Sequence, residues 1–104
     1  MKLNEIVLGI KTYIRNEITT LDWKMAFAEP LIFRGVDNFI KRNEKMLSYL
    51  MDENNEINDI ESLRREYIEK INKQGTITLA GIKLNAQDIS KMFDYIMANQ
   101  GQGN

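Results

Sequence analysis

Apolar residues at Leu3, Ile6, Val7, Ile10, Tyr13, Ile14 and Ile18 recur at i, i+3, i+4 and i+7. That spacing lines one face of a helix and predicts one over residues 3–18. Leu8 falls on the opposite side, beside Lys11 and Arg15. Thr19-Thr20-Leu21-Asp22 interrupts the pattern, and Thr20 or Asp22 is placed to cap a short helix over 23–28. Pro30 then reads as the first-turn residue of a long second helix reaching about Met51, with Glu29 beside its positive end. Ile32, Val36, Phe39, Ile40, Leu47 and Leu50 make its apolar face, flanked by Phe33 and Met46. Gly35, near the start of that helix, either admits a close neighbour or simply weakens it by roughly 1 kcal/mol relative to alanine. Asn43 falls in the middle of the apolar face, between Ile40 and Leu47. A buried amide left without hydrogen bonds costs about 1–3 kcal/mol. The expected partner is backbone of the same chain; the alternative is a second helix whose register the amide would set.

Asp52-Glu53-Asn54-Asn55-Glu56 is a polar connector to a third helix over about 58–72, with Ile57, Ile60, Leu63, Tyr67 and Ile71 inward and Gly75 just past its end. Thr76–Leu79 and Ile82–Leu84 alternate around Ala80-Gly81, the pattern of a small hairpin. Its outer edges carry no charge except Lys83 and are open to a strand from a neighbouring chain. Asn85 and Asp88 form a capping box for a last helix over 86–97, which turns Ile89, Met92, Phe93 and Ile96 inward. A hairpin is marginal by itself in water, so this helix is expected to cover it. The fold class predicted is α+β and predominantly α-helical. It has three longer helices plus a short one, a small β-hairpin at about 76–84 and a C-terminal helix, in one domain over 1–100 with a polar tail at 101–104.

With 104 residues, 43% hydrophobic and 28% charged, the chain has the composition of a globular domain rather than a disordered one. Its size supports one modest core. Histidine and cysteine are both absent. Thiolate and imidazole metal sites, disulfides, cysteine nucleophiles and histidine bases are therefore unavailable, and no cofactor is called for. No signal-like or membrane-spanning apolar stretch stands out, and a cytoplasmic protein is the expectation.

Chemistry-bearing motifs are few. Asp52, Asn54, Glu56 and Asn58 alternate as the first half of a calcium loop does, but Ile57 stands where glycine is needed and Leu63 where a bidentate glutamate is needed. A solvated connector is the reading kept, and no metal site is assigned. Glu61, Glu66 and Glu69 interleave with Arg64, Arg65 and Lys70 as one wet helix side. The serines are Ser48, Ser62 and Ser90, none in a nucleophile-elbow context. No catalytic residue is assigned, and the protein is expected not to be an enzyme.

Two surface features remain. Arg34, Lys41, Arg42 and Lys45 share an outward stripe with Asn38 on the second helix, a candidate nucleic-acid contact. Against it stand the net charge of -1 and seven acidic against four basic residues over 52–74. That balance also counts against a winged-helix reading of three helices and a hairpin, because a recognition helix so charged repels phosphates. Trp23, Met25 and Phe27 crowd the short segment beside Leu21 and Leu31, more apolar surface than a small core readily hides. Trp23, Phe27, Phe33 and Leu8 are therefore the expected protein interface, since large aromatics supply most interface energy. The function expected is a non-enzymatic structural or adaptor protein acting through other protein chains. Its setting would be a homo-oligomer or a larger assembly such as a phage virion or mobile-element particle, where neighbouring subunits would also hold the tail. The alternative is a small nucleic-acid-binding regulator using the basic stripe.

Overall fold

The computed structural model describes the backbone of residues 1–18 and 23–99 and the side chains of 1–17 and 29–99. The proposed cap at Thr20 or Asp22, the tail at 101–104 and the side chains of Trp23 and Phe27 lie outside the described residues. Helix α1 spans Leu3–Tyr13 and runs on through a π-helical turn at Ile14–Ile18, so the predicted 3–18 element is one helical segment whose last turn is widened. Ile6, Ile10, Tyr13 and Ile14 are buried along the predicted face, while Val7 is only half-buried.

The expected short helix over 23–28 is not separate. Helix α2 runs from Trp23 to Arg42 with Pro30 inside it. A proline there removes one i→i−4 hydrogen bond, yet the helix continues on both sides. The chain breaks instead at Asn43, where φ is -101° and ψ 12°, before α3 at Glu44–Leu50. Its amide N–H reaches both the Phe39 and the Ile40 carbonyls, and the Leu47 N–H bonds its own carbonyl, so the chain stays hydrogen-bonded across the turn. The short element of the fold is therefore α3.

The connector is more ordered than a solvated linker. Asp52 accepts hydrogen bonds from the backbone N–H of Asn54 (2.8 Å) and Glu56 (3.1 Å) and from the Asn58 side chain (3.1 Å). Lys2 pairs with Glu56 and Met51 with Ile57 as isolated antiparallel bridges, and Met1 and Ile57 exchange hydrogen bonds at 2.8 and 3.1 Å. Ile57, fully buried, belongs to this clasp and not to the third helix as the periodicity had placed it. Helix α4 begins later, at Ile60, and runs to Gln74; Asp59 caps it by accepting from the Ser62 N–H and hydroxyl.

Strands β1 (Ile77–Leu79) and β2 (Ile82–Leu84) pair antiparallel with Ile77 opposite Leu84, Thr78 opposite Lys83 and Leu79 opposite Ile82. Both turn residues have positive φ, Ala80 at 53° and Gly81 at 80°, as two-residue hairpins require. Helix α5 (Ala86–Asn99) opens with the predicted capping box: the Asp88 N–H donates to Asn85 and the Asn85 N–H donates to Asp88, both at 2.9 Å. It packs between α1 and α4 and against β2, while β1 rests on α2 and α4. Ile89, Met92, Phe93 and Ile96 are all buried, and the hairpin is covered by three helices rather than by the last one alone. Tyr67 of α4 stands between Phe39 and Phe93, with ring centroids at 5.5 and 6.1 Å. The architecture is α+β and mostly helical, with five α-helices and one two-stranded sheet among the described residues.

Candidate functional site

Lining α1, α2 and the connector is an open groove of about 850 Å³, whose apolar wall is Leu3, Val7, Leu8 and Met51. Lys2 and Lys11 are basic at its rim, and Asp37 is acidic. A second depression of about 290 Å³ continues from it along Ile40, Leu47 and Met51. Leu8 borders this groove and also a third hollow on the α5 side, lined by Gly9, Thr12, Tyr95 and Ile96. It is 63% exposed, an apolar side chain standing between two concave surfaces.

The four expected interface residues fare differently. Leu8 is exposed as predicted. Phe33 is half-buried beneath Lys11, whose ammonium lies 5.6 Å from the ring centroid and 2.9 Å from the Asp37 carboxylate. Trp23 and Phe27 lie in the first turns of α2, with side chains outside the described residues. Leu31, 66% exposed, and Tyr49, 84% exposed, are further large apolar side chains in contact with solvent. Tyr49 carries no signal of its own in the sequence, since on one unbroken helix it follows Ser48 on the polar side.

Arg34, Lys41, Arg42 and Lys45 are all exposed, on α2 and α3. None of them forms an ion pair with a described residue. They do not all share one front: Lys41 borders the depression beside Ile40 and Leu47, whereas Arg42 borders a separate cleft toward α4 and β1.

Below Arg42 opens a smaller cleft of about 250 Å³, which also takes in Asn43, Lys70, Gln74 and Thr78. Asn43 is buried, as the apolar face required, and its Nδ2 donates to the Phe39 carbonyl at 2.5 Å. That meets the expectation of a partner in the same chain. Its Oδ1 accepts from Lys70 Nζ at 2.9 Å. Lys70 and Arg64, expected on one wet helix side, are both half-buried. Arg64 is drawn between α4 and α5, where it donates to the Ser90 carbonyl (3.2 Å) and to Asp94 (2.8 Å) and pairs with Glu61. The signal for Lys70 was indirect: a buried Asn43 needs donors and acceptors, and Lys70 lies one turn from Tyr67, at the border of the buried face of α4.

No group of three or more acidic, cysteine or histidine side chains is placed to hold a metal ion among the described residues. Among the described residues two carboxyls are held below the ordinary range, and each owes it to its own local structure. For Asp52 the cause is the N–H groups of Glu56 and Asn54 and then the Asn58 amide; for Asp59 it is Ser62. Both serve loop and cap, and the half calcium-loop pattern is spent on the connector's own hydrogen bonds. Among the described residues no helix is long and apolar enough to cross a membrane. Comparisons of the chain with protein-family models, with curated proteins and with solved structures found no match.

Proposed function

We propose that this chain is a non-enzymatic structural or adaptor protein that works by docking another protein chain along α1. The observation that carries the reading is the groove of about 850 Å³ bordered by Leu8, itself 63% exposed. Covering the exposed part of Leu8 at the lip of an apolar concavity gains roughly 1–2 kcal/mol. Lys2, Lys11 and Asp37 give the rim the mixed polar character usual around an apolar interface centre. Leu31 extends the exposed apolar surface onto α2.

Sedimentation velocity on the wild-type chain and on Leu8→Asp tests the reading. Leu8 is exposed, so the substitution leaves the fold intact and acts on association alone. The expected outcome is a concentration-dependent complex, with itself or with a partner co-purified from its native source, that Leu8→Asp abolishes. A monomer at millimolar concentration that also retains no partner sinks the proposal.

A second reading rests on Arg34, Lys41, Arg42 and Lys45, which are exposed and unpaired among the described residues. It makes the stripe a nucleic-acid contact. Retention on nucleic acid that falls steeply with salt would favour it, because phosphate contacts release counterions.

A further inference from the structure

We propose that the cleft between α2, α4 and β1 is a binding site for a small phosphate monoester, whose phosphoryl group is held by Arg42 and Lys70. Among the described residues, both charged side chains lining it are cations and no carboxylate lines it. Neither cation forms an ion pair with a described residue. Two like charges gathered at one concavity repel each other, and an anion between them relieves the repulsion.

Lys70 is not a freely swinging surface lysine. Asn43 Oδ1 accepts one of its protons at 2.9 Å. Asn43 is itself only 5% exposed and is anchored to the Phe39 carbonyl. An ammonium has three donors, so two are left for a ligand. The buried amide thus holds the charge in place before anything binds, which lowers the ordering penalty of binding. Arg42, the last residue of α2, contributes a planar fork of donors that matches two phosphate oxygens at once. Thr78 and Gln74 add neutral polar groups at the rim. Opposite Thr78 on the hairpin stands Lys83, exposed, which brings a third cation to the same side.

Size and surroundings narrow the ligand. Drug-sized ligands fill roughly 300–1,000 Å³. At about 250 Å³ the cleft takes a phosphoryl group with a body of a few carbons. A nucleic-acid strand fits less well, since residues 52–74, which include α4, carry seven acidic side chains against four basic and repel flanking phosphates.

Two-dimensional amide NMR of the whole chain, at constant ionic strength held with sodium chloride, tests the site. The probes are inorganic phosphate, glycerol 3-phosphate and a twelve-nucleotide single strand. Saturable shifts confined to residues 42–43, 70 and 74–78 are expected, with glycerol 3-phosphate binding more tightly than phosphate. Arg42→Gln and Lys70→Gln are each expected to weaken binding about tenfold or more, the loss of a charge-assisted hydrogen bond. Arg42 is exposed, so its variant folds even if the Lys70 variant does not. The proposal is overturned by any of three results: no saturation at tens of millimolar phosphate, unchanged affinity in Arg42→Gln, or a response to the single strand alone along Arg34–Lys45.

Discussion

The α-carbon of Gly35 on α2 lies against Ala80 in the hairpin turn: a methyl built on Gly35 would stand 2.7 Å from both the Cα and the Cβ of Ala80. This contact seats the hairpin on the second helix. Ala80 holds a positive φ of 53°, a conformation that strains an L-residue, and the turn reaches α2 in that conformation.

Substituting Gly35→Ala therefore reverses the usual sign of its effect. In an open helix interior the change stabilises by roughly 1 kcal/mol. Here the new methyl meets backbone, which does not rotate away, and overpacking of this kind destabilises by about 1–3 kcal/mol. Ala80→Gly removes the methyl-to-methyl clash and the positive-φ strain but leaves the Cα in place, so Gly35→Ala still destabilises when measured against Ala80→Gly alone. Urea unfolding of the single and double variants measures this, and a Gly35→Ala protein more stable than wild type would refute the close approach.

Tyr67→Phe is expected to stabilise the protein by about 1 kcal/mol. The Tyr67 hydroxyl is buried with no hydrogen-bond partner among the described residues, while its ring is stacked on Phe39 and tilted against Phe93. Phenylalanine keeps the rings and removes the stranded hydroxyl. Burial pushes the Tyr67 hydroxyl well above its ordinary value of 10.0. The unfolded chain then ionises first as pH rises through 10, so stability is full below that pH and declines above it. Unfolding midpoints from pH 8 to 11 should show a shallower decline for Tyr67→Phe than for wild type. A destabilised variant with an unchanged slope would mean that the hydroxyl has a partner after all.

How far the sequence reached is clearest in α5 and in α2. For α5 the cap, the inward residues and the hairpin before it all lie within a few residues of one another, so local chemistry decides them. In α2 the local signal at Pro30 was strong, yet the helix runs through it from Trp23, and the break fell at Asn43, where no glycine or proline marks it. Val7 and Ile40 were expected in the core and sit half-buried at its rim, because periodicity tells which side is apolar but not how wide an arc the neighbours cover. The same limit explains the candidate sites. Exposure of Leu8 and of the basic stripe follows from helical phase alone. The hold of Asn43 on Lys70 joins residues 27 positions apart, and nothing local announces it.

Acid should loosen the connector at Asp52, as it should the α4 cap at Asp59. Asp52 accepts three hydrogen bonds as a carboxylate, and those donors hold its carboxyl below the ordinary 3.8. Its stabilising effect is present above that value and is lost as pH falls through the lowered one. Asp52→Ala is expected to abolish this acid dependence and to speed amide exchange at Asn54 and Glu56, with α4 and α5 unchanged. Hydrogen exchange at residue resolution, between about pH 2 and 5, checks it. Exchange at Asn54 and Glu56 as slow in the variant as in wild type would mean that backbone pairing alone, at Lys2–Glu56 and Met51–Ile57, sustains the clasp.

Pro30→Ala separates the two ways of placing the start of α2. Were Pro30 at the first helical turn, its fixed φ would favour the helix and its replacement would lower stability by about 0.4–1 kcal/mol through the more flexible unfolded chain. In the structure Pro30 stands inside a helix that begins at Trp23. There its ring nitrogen has no hydrogen to offer the carbonyl four residues back, a defect of about 3 kcal/mol relative to alanine. The gain in unfolded-chain freedom offsets roughly 1 kcal/mol of that, and Pro30 is exposed, so little packing is lost with the ring. A net stabilisation of about 1–2 kcal/mol follows, which raises the melting temperature of a chain this size by about 4 °C or more. Calorimetry decides between the two signs, and a lower melting temperature for Pro30→Ala would move the start of the helix back to Pro30.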